Sequence, residues 1–432
     1  MTAAIQAVPP GAAAGIDGYI DDEIYPSGLD RRFVPAWIDA ILAQRGLPSP
    51  RKPRGPFTYV DLGCGDGVGL ILVAAAHPEA RFVGIDALAV HVERGRALAA
   101  DIGLGNISFQ CATFEGTDEG LCGTADYVAL RGVVTWVSAA AAAAALDLAA
   151  RLLRPGGVLA VGYNVLPGWS PALAFQRLIF DRAATLSGSG SARFAAALEQ
   201  LRADGLIAPA VLNWLDGKRE TLPSGYFPHE YLNRHWAPIW SGDLIEATAR
   251  RGLGFAGSAD PASHRPEIRL RKAQREVLAG IADVGAREIA TDTYLNGCFR
   301  TDLFVKAGAA IDLAPPERLR QVWTGHAPAD RASYEFTTGM GRIRFDNPAA
   351  RAILRHLESG PAPLDGITAV SAAELLNTLD ALWLADLVAP AEPPAVVPLA
   401  ARTNHIIAAA TTAPLGIVIG AHGVVSAEGP AA

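Results

Sequence analysis

A run of alternate glycines directly after a short apolar segment is the feature that most restricts how this chain can fold. Residues 59–69 read YVDLGCGDGVG, in which every second position from 63 to 69 is glycine. Because glycine loses more backbone entropy on folding than other residues, such a run indicates a backbone path that a side chain would obstruct. A turn of this kind between a strand and a helix presents backbone N–H groups to a ligand at the carboxyl end of the strand.

The segments around this turn alternate between β-like and helical patterns over residues 57–164. The β-like segments are FTYVDLG, RFVGID, ISFQCAT, ADYVALRG and GVLAVGYN. Strands that alternate with helices predict a parallel sheet covered on both faces, and therefore an α/β fold. Before the last of these segments, seven successive alanines at 139–145 predict a helix with Ser138 as its N-cap.

Clusters of proline and glycine divide the chain into six predicted parts. These are a disordered leader (1–18), an N-terminal capping helical segment (19–55), a ligand-binding α/β domain (56–186), a mixed α/β middle domain (187–312), a winged-helix-like C-terminal domain (313–390) and a C-terminal tail (391–432). In the winged-helix-like part, the strand pair EFTTGMGRIRFD precedes two helical segments.

The charge of the chain argues against partners that need cationic surfaces. The formal net charge is −7, and residues 316–389 contain seven arginines, no lysines and nine acidic residues. Because phosphate contacts supply much of the affinity for nucleic acids, we expect no nucleic-acid partner. Residues 406–425 are apolar but include threonine, proline, histidine and three glycines. They predict a buried strand pair or helix rather than a membrane span, so we expect no membrane association.

Neither the cysteines nor the histidines form a recognisable metal motif. The four cysteines lack the CxxC spacing, which favours reduced, buried thiols in a cytoplasmic protein. The N-terminal residues lack the cationic start and apolar block of a signal peptide. His229 and Glu230 are adjacent, but no HExxH pattern follows, so we expect no metal site.

The spacing of the glycines distinguishes between two classes of ligand. A dinucleotide site needs G-x-G-x-x-G, and Val68 stands three residues after Gly65, so we expect no NAD binding. The pattern is instead D-x-G-x-G-x-G from Asp61, which places an acid beside the turn. S-adenosylmethionine (SAM) carries an ammonium group that such an acid suits. Asp86 ends the next strand, where a carboxylate can accept both ribose hydroxyls.

With these residues, the chain resembles the class I SAM-dependent methyltransferases. The segments LRGVVTWVS (130–138) and GYNVLPGW (162–169) are similar to bacterial members with a methyltransferase regulatory domain, a group that includes rickettsial protein lysine methyltransferases. HEYLNRHWAPIW (229–240) and FRTDLFVKAG (299–308) resemble that second domain. The resemblance covers about 25–308 clearly and the tail loosely. Two positions depart from the family pattern: Arg131 replaces a usual histidine, and Thr113 replaces a common acid or other polar group.

The resemblance implies a Rossmann-like SAM-dependent methyltransferase domain at 56–186 and a regulatory middle domain at 187–312. We expect SAM as the cofactor, held by Tyr25, Asp61, Gly63, Gly65, Gly67, Asp86, Thr113, Phe114 and Arg131. Thr113 and Phe114 would contact the adenine ring. Candidate catalytic residues around the acceptor are Arg131, Trp136, Tyr163 and Asn164, with Trp169 as a further aromatic wall.

The acceptor is not determined by these patterns. An active enzyme that methylates protein side chains, most plausibly lysine, is the leading hypothesis. A small-molecule N- or O-methyltransferase is the first alternative, and a non-catalytic SAM-binding partner protein is the second. A homodimer is possible.

Overall fold

The computed structural model describes residues 18–20, 28–53, 55–116, 119–219, 225–308, 318–329, 334–338, 341–345, 347–393, 399–411, 417–420 and 423–426. The predicted leader, except its last residue, and Tyr25 lie outside the described residues.

The centre of the molecule is a seven-stranded sheet with the order β3-β2-β1-β4-β5-β7-β6. Its strands are β1 (Thr58–Leu62), β2 (Arg81–Asp86), β3 (Ile107–Cys111), β4 (Ala125–Arg131), β5 (Leu153–Asn164), β6 (Leu253–Ser258) and β7 (Phe299–Lys306). The first five strands are parallel, which confirms the predicted sheet. β7 is antiparallel to both of its neighbours, β5 and β6.

The helices cover both faces of this sheet, as the alternating sequence pattern predicts. Over residues 35–295 the helices are α1 (Pro35–Gln44), α2 (Val68–Ala76), α3 (Ala89–Ile102), α4 (Ala139–Leu152), α5 (Leu173–Ala183), α6 (Gly190–Ala203), α7 (Pro209–Arg219), α8 (Tyr226–Tyr231), α9 (Ser241–Ala249), α10 (Pro266–Arg269), α11 (Lys272–Ala279) and α12 (Val284–Leu295), of which α1 to α4 and α9 pack on the sheet. The hydroxyl of Ser138 accepts a hydrogen bond from the backbone N–H of Ala141, which confirms the predicted cap of α4.

Neighbouring residues of each strand point into two different cores. Tyr59 and Tyr127 pack against α1, α2 and α3 on one face, whereas Val60 and Val128 pack against α4 and α9 on the other. Side chains of a strand alternate between the faces of its sheet, so a strand that is apolar throughout fits a sheet buried on both sides.

The prediction of a separate middle domain at 187–312 is wrong in one respect. β6 and β7 come from this part of the chain, yet they extend the same sheet that β1 to β5 begin. The predicted boundary at 187 also falls inside one core, because α5, α6, α7 and α8 bury their apolar side chains together. Ser189 accepts a hydrogen bond as the N-cap of α6, so the Gly/Ser-rich segment there marks a turn between packed helices.

The described residues of the C-terminal part add two helices and two small groups of strands. They are α13 (Pro348–Leu357), α14 (Ala372–Leu384), the sheet of β8 (Val322–Gly325), β11 (Ala362–Pro363) and β12 (Val388–Pro390), and the hairpin of β9 (Tyr334–Thr338) and β10 (Gly341–Phe345). The predicted strand pair is β9 and β10, and the two predicted helical segments are α13 and α14. The winged-helix assignment itself stays a prediction.

The C-terminal tail contains α15 (Ala400–Ala410) and the strand pair β13 (Ile417–Gly420) and β14 (Gly423–Ser426). Both contact α2, and α15 also contacts α3. Among the described residues, no helix has the length and apolar character needed to cross a membrane.

All four cysteines are free, as predicted, but the prediction that they are buried holds for only one of them. Cys64 is buried, as predicted, but Cys111, Cys122 and Cys298 are exposed. Each of the three exposed cysteines lies in or beside a loop. Apolar neighbours in the sequence therefore did not predict that these thiols are buried.

Candidate functional site

A cavity of about 1350 Å³ lies at the carboxyl ends of the parallel strands. It is bordered by the glycine turn after β1 and by residues that end or follow β2, β3, β4 and β5. Residues 19, 30 and 32 of the N-terminal segment and residues of α7 and α8 close its other sides. Of the predicted site residues, those that border it are Gly63, Gly65, Asp86, Thr113, Phe114, Arg131, Trp136, Asn164 and Trp169.

The three predicted glycines of the turn have different roles. All adopt positive φ, +74° at Gly63, +58° at Gly65 and +70° at Gly67. A Cβ atom at Gly67 would lie 2.3 Å from Cε1 of Phe109, and one at Gly63 would lie 2.6 Å from Cγ2 of Val133. A Cβ atom at Gly65 would meet nothing within 4 Å. Gly65 therefore leaves its backbone open to a ligand, while Gly67 allows close packing and does not border the cavity.

Asp86 holds the turn in place from the end of β2. Its Oδ2 accepts a hydrogen bond of 2.9 Å from the backbone N–H of Gly65, and its Oδ1 accepts one of 2.9 Å from that of Leu88. Nδ1 of His91 lies 3.3 Å from the same Oδ1. The carboxylate borders the cavity and so combines a structural contact with a position from which it can accept ligand hydroxyls.

Asp61 and Arg131 place opposite charges beside the turn. Burial raises the pKa of Asp61 to about 6, with the charge of Arg131 lowering it and that of Asp86 raising it. Oδ1 of Asp61 is buried and makes no hydrogen bond within the described part of the chain. Nη1 of Arg131 donates to the carbonyl oxygen of Gly28 over 2.8 Å, which ties the N-terminal segment to the end of β4. Asp61 is partly exposed but does not itself border the cavity.

The structure places Tyr163 away from the cavity, which corrects the prediction for this residue. Its side chain is fully buried, and its hydroxyl donates a hydrogen bond of 2.6 Å to Oδ2 of Asp302 on β7. Asn164 follows it on β5, points to the opposite side and borders the cavity. Because side chains alternate along a strand, only one of two neighbours can face the site.

Family models match two parts of the chain. Residues 60–157 match a methyltransferase domain, and residues 223–306 match a predicted methyltransferase regulatory domain. The first match begins on β1 and includes the glycine turn and Asp86. The chain is a SAM-dependent methyltransferase that carries a regulatory domain.

Some known proteins resemble this methyltransferase over most of its length and others over part of it. An uncharacterized protein of Synechocystis is 25% identical over 358 residues, which cover 81% of this chain and 70% of that protein. An uncharacterized protein of Rickettsia prowazekii is 30% identical over 150 residues, or 35% of this chain and 59% of that protein. The structure of PKMT2 from Rickettsia typhi in complex with AdoHcy matches with a TM-score of 0.68 and 19% identity, covering 93% of this chain and 86% of that one. That likeness shows a shared fold.

The residues of the methyltransferase fit SAM at both ends of the cofactor. We propose that Asp61 and Arg131 hold the methionine ammonium and carboxylate, because their charges are opposite to those groups and Oδ1 of Asp61 lacks a partner among the described atoms. Gly65 would let the cofactor approach its backbone, and Asp86 would accept the ribose hydroxyls. Thr113 and Phe114 border the cavity after β3, where adenine contacts are proposed.

The sequence analysis missed much of the wall opposite the sheet. The methyltransferase borders its cavity there with Tyr19, Trp214, Tyr226, Glu230 and Phe299. These residues come from the N-terminal segment, α7, α8 and the start of β7. For two of these residues the sequence could have predicted a shared position. Tyr226 and Glu230 are four residues apart, and residues at this spacing lie on the same face of a helix. The ring of His229, the other half of the dismissed metal pair, packs against Tyr19 at 5.7 Å.

Proposed function

We propose that this methyltransferase transfers a methyl group to the side-chain amine of lysine residues in proteins. The observation that supports this best is the aromatic lining of the cavity beyond the cofactor residues. Trp136, Trp169, Trp214, Tyr226 and Phe299 all border it. Aromatic faces attract an alkylammonium group and also contact the apolar chain that carries it.

The mouth of the cavity fits a substrate that is presented on a larger molecule. Trp214 is 39% exposed and Phe299 is 40% exposed, so two aromatic rings of the lining reach the surface. Trp169 joins them to the interior: its ring lies 6.2 Å from that of Trp214, and its Nε1 donates a hydrogen bond of 2.7 Å to the carbonyl oxygen of Cys298. A long, narrow side chain can pass such a rim while its backbone stays outside.

When bound, SAM supplies a sulfonium methyl group that an amine lone pair can attack directly. The chain therefore has to position the amine and exclude water. A free lysine amine has a pKa of about 10.4. The aromatic faces attract its charged form, whereas the loss of hydration inside the cavity favours its neutral form. The proton passes to solvent before the attack, and the aromatic walls keep further water away from the neutral amine.

Asn164 is the residue that we propose orients that amine. Its side chain is only 4% exposed, borders the cavity and has an amide nitrogen without a hydrogen-bond partner among the described residues. The backbone N–H of Asn164 donates to Oγ1 of Thr135 over 3.3 Å, which fixes the end of β5. Because a turn of the terminal amide exchanges its nitrogen and oxygen, we propose that the amide oxygen faces the cavity when substrate is bound and accepts an N–H of the amine, so that the lone pair points toward the methyl group.

The resemblance to rickettsial protein lysine methyltransferases supports the same acceptor. PKMT2 from Rickettsia typhi shares the fold over 93% of this chain. A protein substrate, a cytoplasmic location and homodimerisation stay predictions, as does the expected lack of a nucleic-acid partner.

The test is to incubate the purified protein with isotope-labelled SAM and undialysed extract from its own cell type, and then to analyse the proteins and the small molecules separately by mass spectrometry. We expect labelled methyl groups on lysine side chains. Label that appears only in small molecules other than SAM, or on residues other than lysine, would contradict the proposal. The former result would favour a small-molecule acceptor.

A variant at the rim tests the role of the aromatic lining. Trp214→Leu keeps an apolar side chain but removes the ring, so we expect KM for the methylated peptide to rise about threefold or more with unchanged SAM affinity. Val277→Leu, at a position that is 54% exposed and outside the lining, is the control.

A further inference from the structure

A short part of the N-terminal segment is attached to the regulatory domain by two hydrogen bonds of its backbone. The backbone N–H of Ile20 donates a bond of 2.9 Å to Oδ1 of Asn233. The carbonyl oxygen of Gly18 accepts one of 3.2 Å from the backbone N–H of Arg234. Asn233 and Arg234 belong to the part of the chain that matches the regulatory-domain model. The residue between the two bonds, Tyr19, borders the cavity.

Buried side chains hold this attachment in place. The side chain of Asn233 is fully buried, and its Nδ2 donates a hydrogen bond of 2.6 Å to the carbonyl oxygen of His229 in α8. Ile20 is 7% exposed and packs in the core that α5, α6, α7 and α8 share. The position of the backbone on both sides of Tyr19 is therefore set by residues outside the parallel strands.

Tyr19 brings a neutral hydroxyl to the cavity, near the carboxylate of Asp86. The ring of Tyr19 lies 5.7 Å from that of His229. Burial raises the pKa of Tyr19, and the negative charges of Asp86 and Glu230 raise it further. Asp86 is thus close enough for its charge to act on the hydroxyl, which keeps its proton at neutral pH.

A hydroxyl and a carboxylate can share the recognition of a sugar hydroxyl. The carboxylate of Asp86 can only accept hydrogen bonds, so a ribose hydroxyl that it binds must donate its proton to it. The oxygen of that ribose hydroxyl still has lone pairs, which can accept a bond from a second group. The protonated hydroxyl of Tyr19 is such a donor.

We propose that Tyr19 is a further cofactor-binding residue, whose hydroxyl donates a hydrogen bond to a ribose hydroxyl of SAM beside Asp86, and that the regulatory domain raises the cofactor affinity by holding Tyr19 there. The proposal concerns the cofactor and does not depend on which acceptor the enzyme methylates. Its physical basis is pre-organisation, because a hydroxyl that is already fixed loses less entropy when the ligand binds. Cofactor binding and the attachment of residues 18–20 therefore strengthen each other.

Calorimetry on the full chain with AdoHcy and its 2′-deoxy and 3′-deoxy forms tests the ribose contact. Tyr19→Phe removes only the hydroxyl, so it should weaken AdoHcy about fivefold, the loss of one neutral hydrogen bond. One of the two deoxy forms lacks the hydroxyl that Tyr19 contacts, and for that form the variant should change the affinity by less than about twofold. An unchanged affinity for AdoHcy, or an equal loss for all three ligands, would overturn the contact.

The control for this substitution is Tyr294→Phe. Tyr294 is 40% exposed and lies outside the lining of the cavity, so its hydroxyl should not affect the affinity for any of the three ligands.

A variant of the attachment tests the role of the regulatory domain. Gly18 has a φ of +74°, and a Cβ atom there would lie 2.8 Å from Cβ of Arg234, so Gly18→Ala should displace the backbone beside Tyr19. We expect Gly18→Ala to weaken AdoHcy about fivefold, and the double variant with Tyr19→Phe to show no further loss beyond about twofold. Additive losses, or an unchanged affinity in Gly18→Ala, would overturn the positioning by the regulatory domain.

Gly46→Ala is the matched control for the backbone strain. Gly46 also has a positive φ, +69°, but a Cβ atom there would meet nothing within 4 Å. It does not border the cavity, so its substitution should leave the AdoHcy affinity unchanged.

Hydrogen exchange on the wild-type protein covers the case in which Gly18→Ala does not fold. Because cofactor binding and the attachment strengthen each other, saturating AdoHcy should slow the exchange of the backbone N–H groups of Ile20 and Arg234 about fivefold. The backbone N–H of Gly46, which donates to the carbonyl oxygen of Ala43, is the reference for a general effect on the chain. Equal slowing at all three groups, or slowing at none of them, would overturn the coupling.

Discussion

Asp86 serves two purposes within one side chain. Its carboxylate accepts hydrogen bonds from the backbone N–H groups of Gly65 and Leu88, and it also borders the cavity. The sequence pattern predicted the second purpose but not the first. A substitution at this position can therefore change the cofactor affinity, the stability of the turn or both, depending on the side chain introduced.

Asp86→Asn and Asp86→Ala should separate these two effects. Hydrogen bonds to a charged group are each worth about 1.5–3 kcal/mol, so Asp86→Asn should weaken SAM about tenfold or more in calorimetry. Asp86→Ala should show this loss and a lower Tm as well, because two backbone N–H groups lose their acceptor. An unchanged SAM affinity in both variants would contradict the ribose contact.

Asp61 should make SAM binding depend on pH. Its raised pKa, about 6, means that the free protein holds the neutral acid at pH 5 and the carboxylate at pH 7. A SAM ammonium needs the carboxylate, so binding below pH 6 must release a proton, and Kd should rise about tenfold for each pH unit below that value. In the free protein the raised pKa favours folding below pH 4, and this contribution is lost as the pH rises through 6.

The control for this titration is Asp61→Asn, which has no carboxyl group to titrate. Its SAM affinity should be weaker at pH 7 and should lack the step near pH 6. A wild-type affinity that stays constant between pH 5 and pH 7 would show that Asp61 does not face the ammonium.

At the scale of single elements, helix α2 depends on contacts with both the sheet and the C-terminal tail. Its sequence, VGLILVAAA, is apolar all round, and every residue except Gly69 is buried. One side packs on the sheet, and α15 with the hairpin of β13 and β14 covers another. A helix that is apolar on all sides needs such complete coverage. The tail therefore stabilises the helix that follows the glycine turn.

Two glycine substitutions at the start of α2 should have different consequences. Gly67→Ala places a Cβ atom 2.3 Å from Cε1 of Phe109 at positive φ, so we expect a marked loss of Tm. Gly65→Ala also has positive φ, which costs about 1–2 kcal/mol, but its Cβ atom meets no neighbour within 4 Å. We expect Gly65→Ala to impair SAM binding more than stability. Equal Tm values in thermal unfolding would contradict this assignment.

At the scale of the whole molecule, the predicted parts do not behave as independent units. The ring of Trp37 on α1 lies 5.0 Å from that of Trp383 on α14, which lies 5.1 Å from that of Trp323 on β8. These rings belong to the same core as α2 and one face of β1 and β4. The C-terminal part and the cofactor-binding part therefore share buried surface.

Trp383→Ala should destabilise the entire chain. Truncation of a fully buried tryptophan costs about 3–5 kcal/mol of stability. We therefore expect a lower Tm for the whole chain, and SAM binding should be lost on heating at the same lower temperature. Val277→Ala, at a site that is 54% exposed, is the matched control and should leave Tm nearly unchanged. Loss of the C-terminal part in a separate transition, with SAM binding retained, would contradict a shared core.

A chain that ends near residue 186 should fail to fold. The recognisable sequence motifs end near Trp169, but the residues beyond it complete the sheet. The structure shows that β7 pairs with β5 along residues 158–164, so the truncation would leave an apolar strand as an open edge. Circular dichroism should show no cooperative unfolding, and a folded, SAM-binding fragment would contradict this expectation.

The sequence alone determined the order of the parallel strands and helices, the position of the glycine turn, the position of Asp86 at the end of β2 and the class of cofactor. Each of these depends on local spacing, since a strand, a tight turn and a strand end are set by neighbouring residues. The tertiary structure decided that β6 and β7 complete the sheet, that Asn164 and not Tyr163 faces the cavity, and that Glu230 and Trp214 belong to its wall. These features depend on contacts between residues far apart in the chain, and the sequence carries no periodic signal for such contacts because they arise only when separate elements pack together.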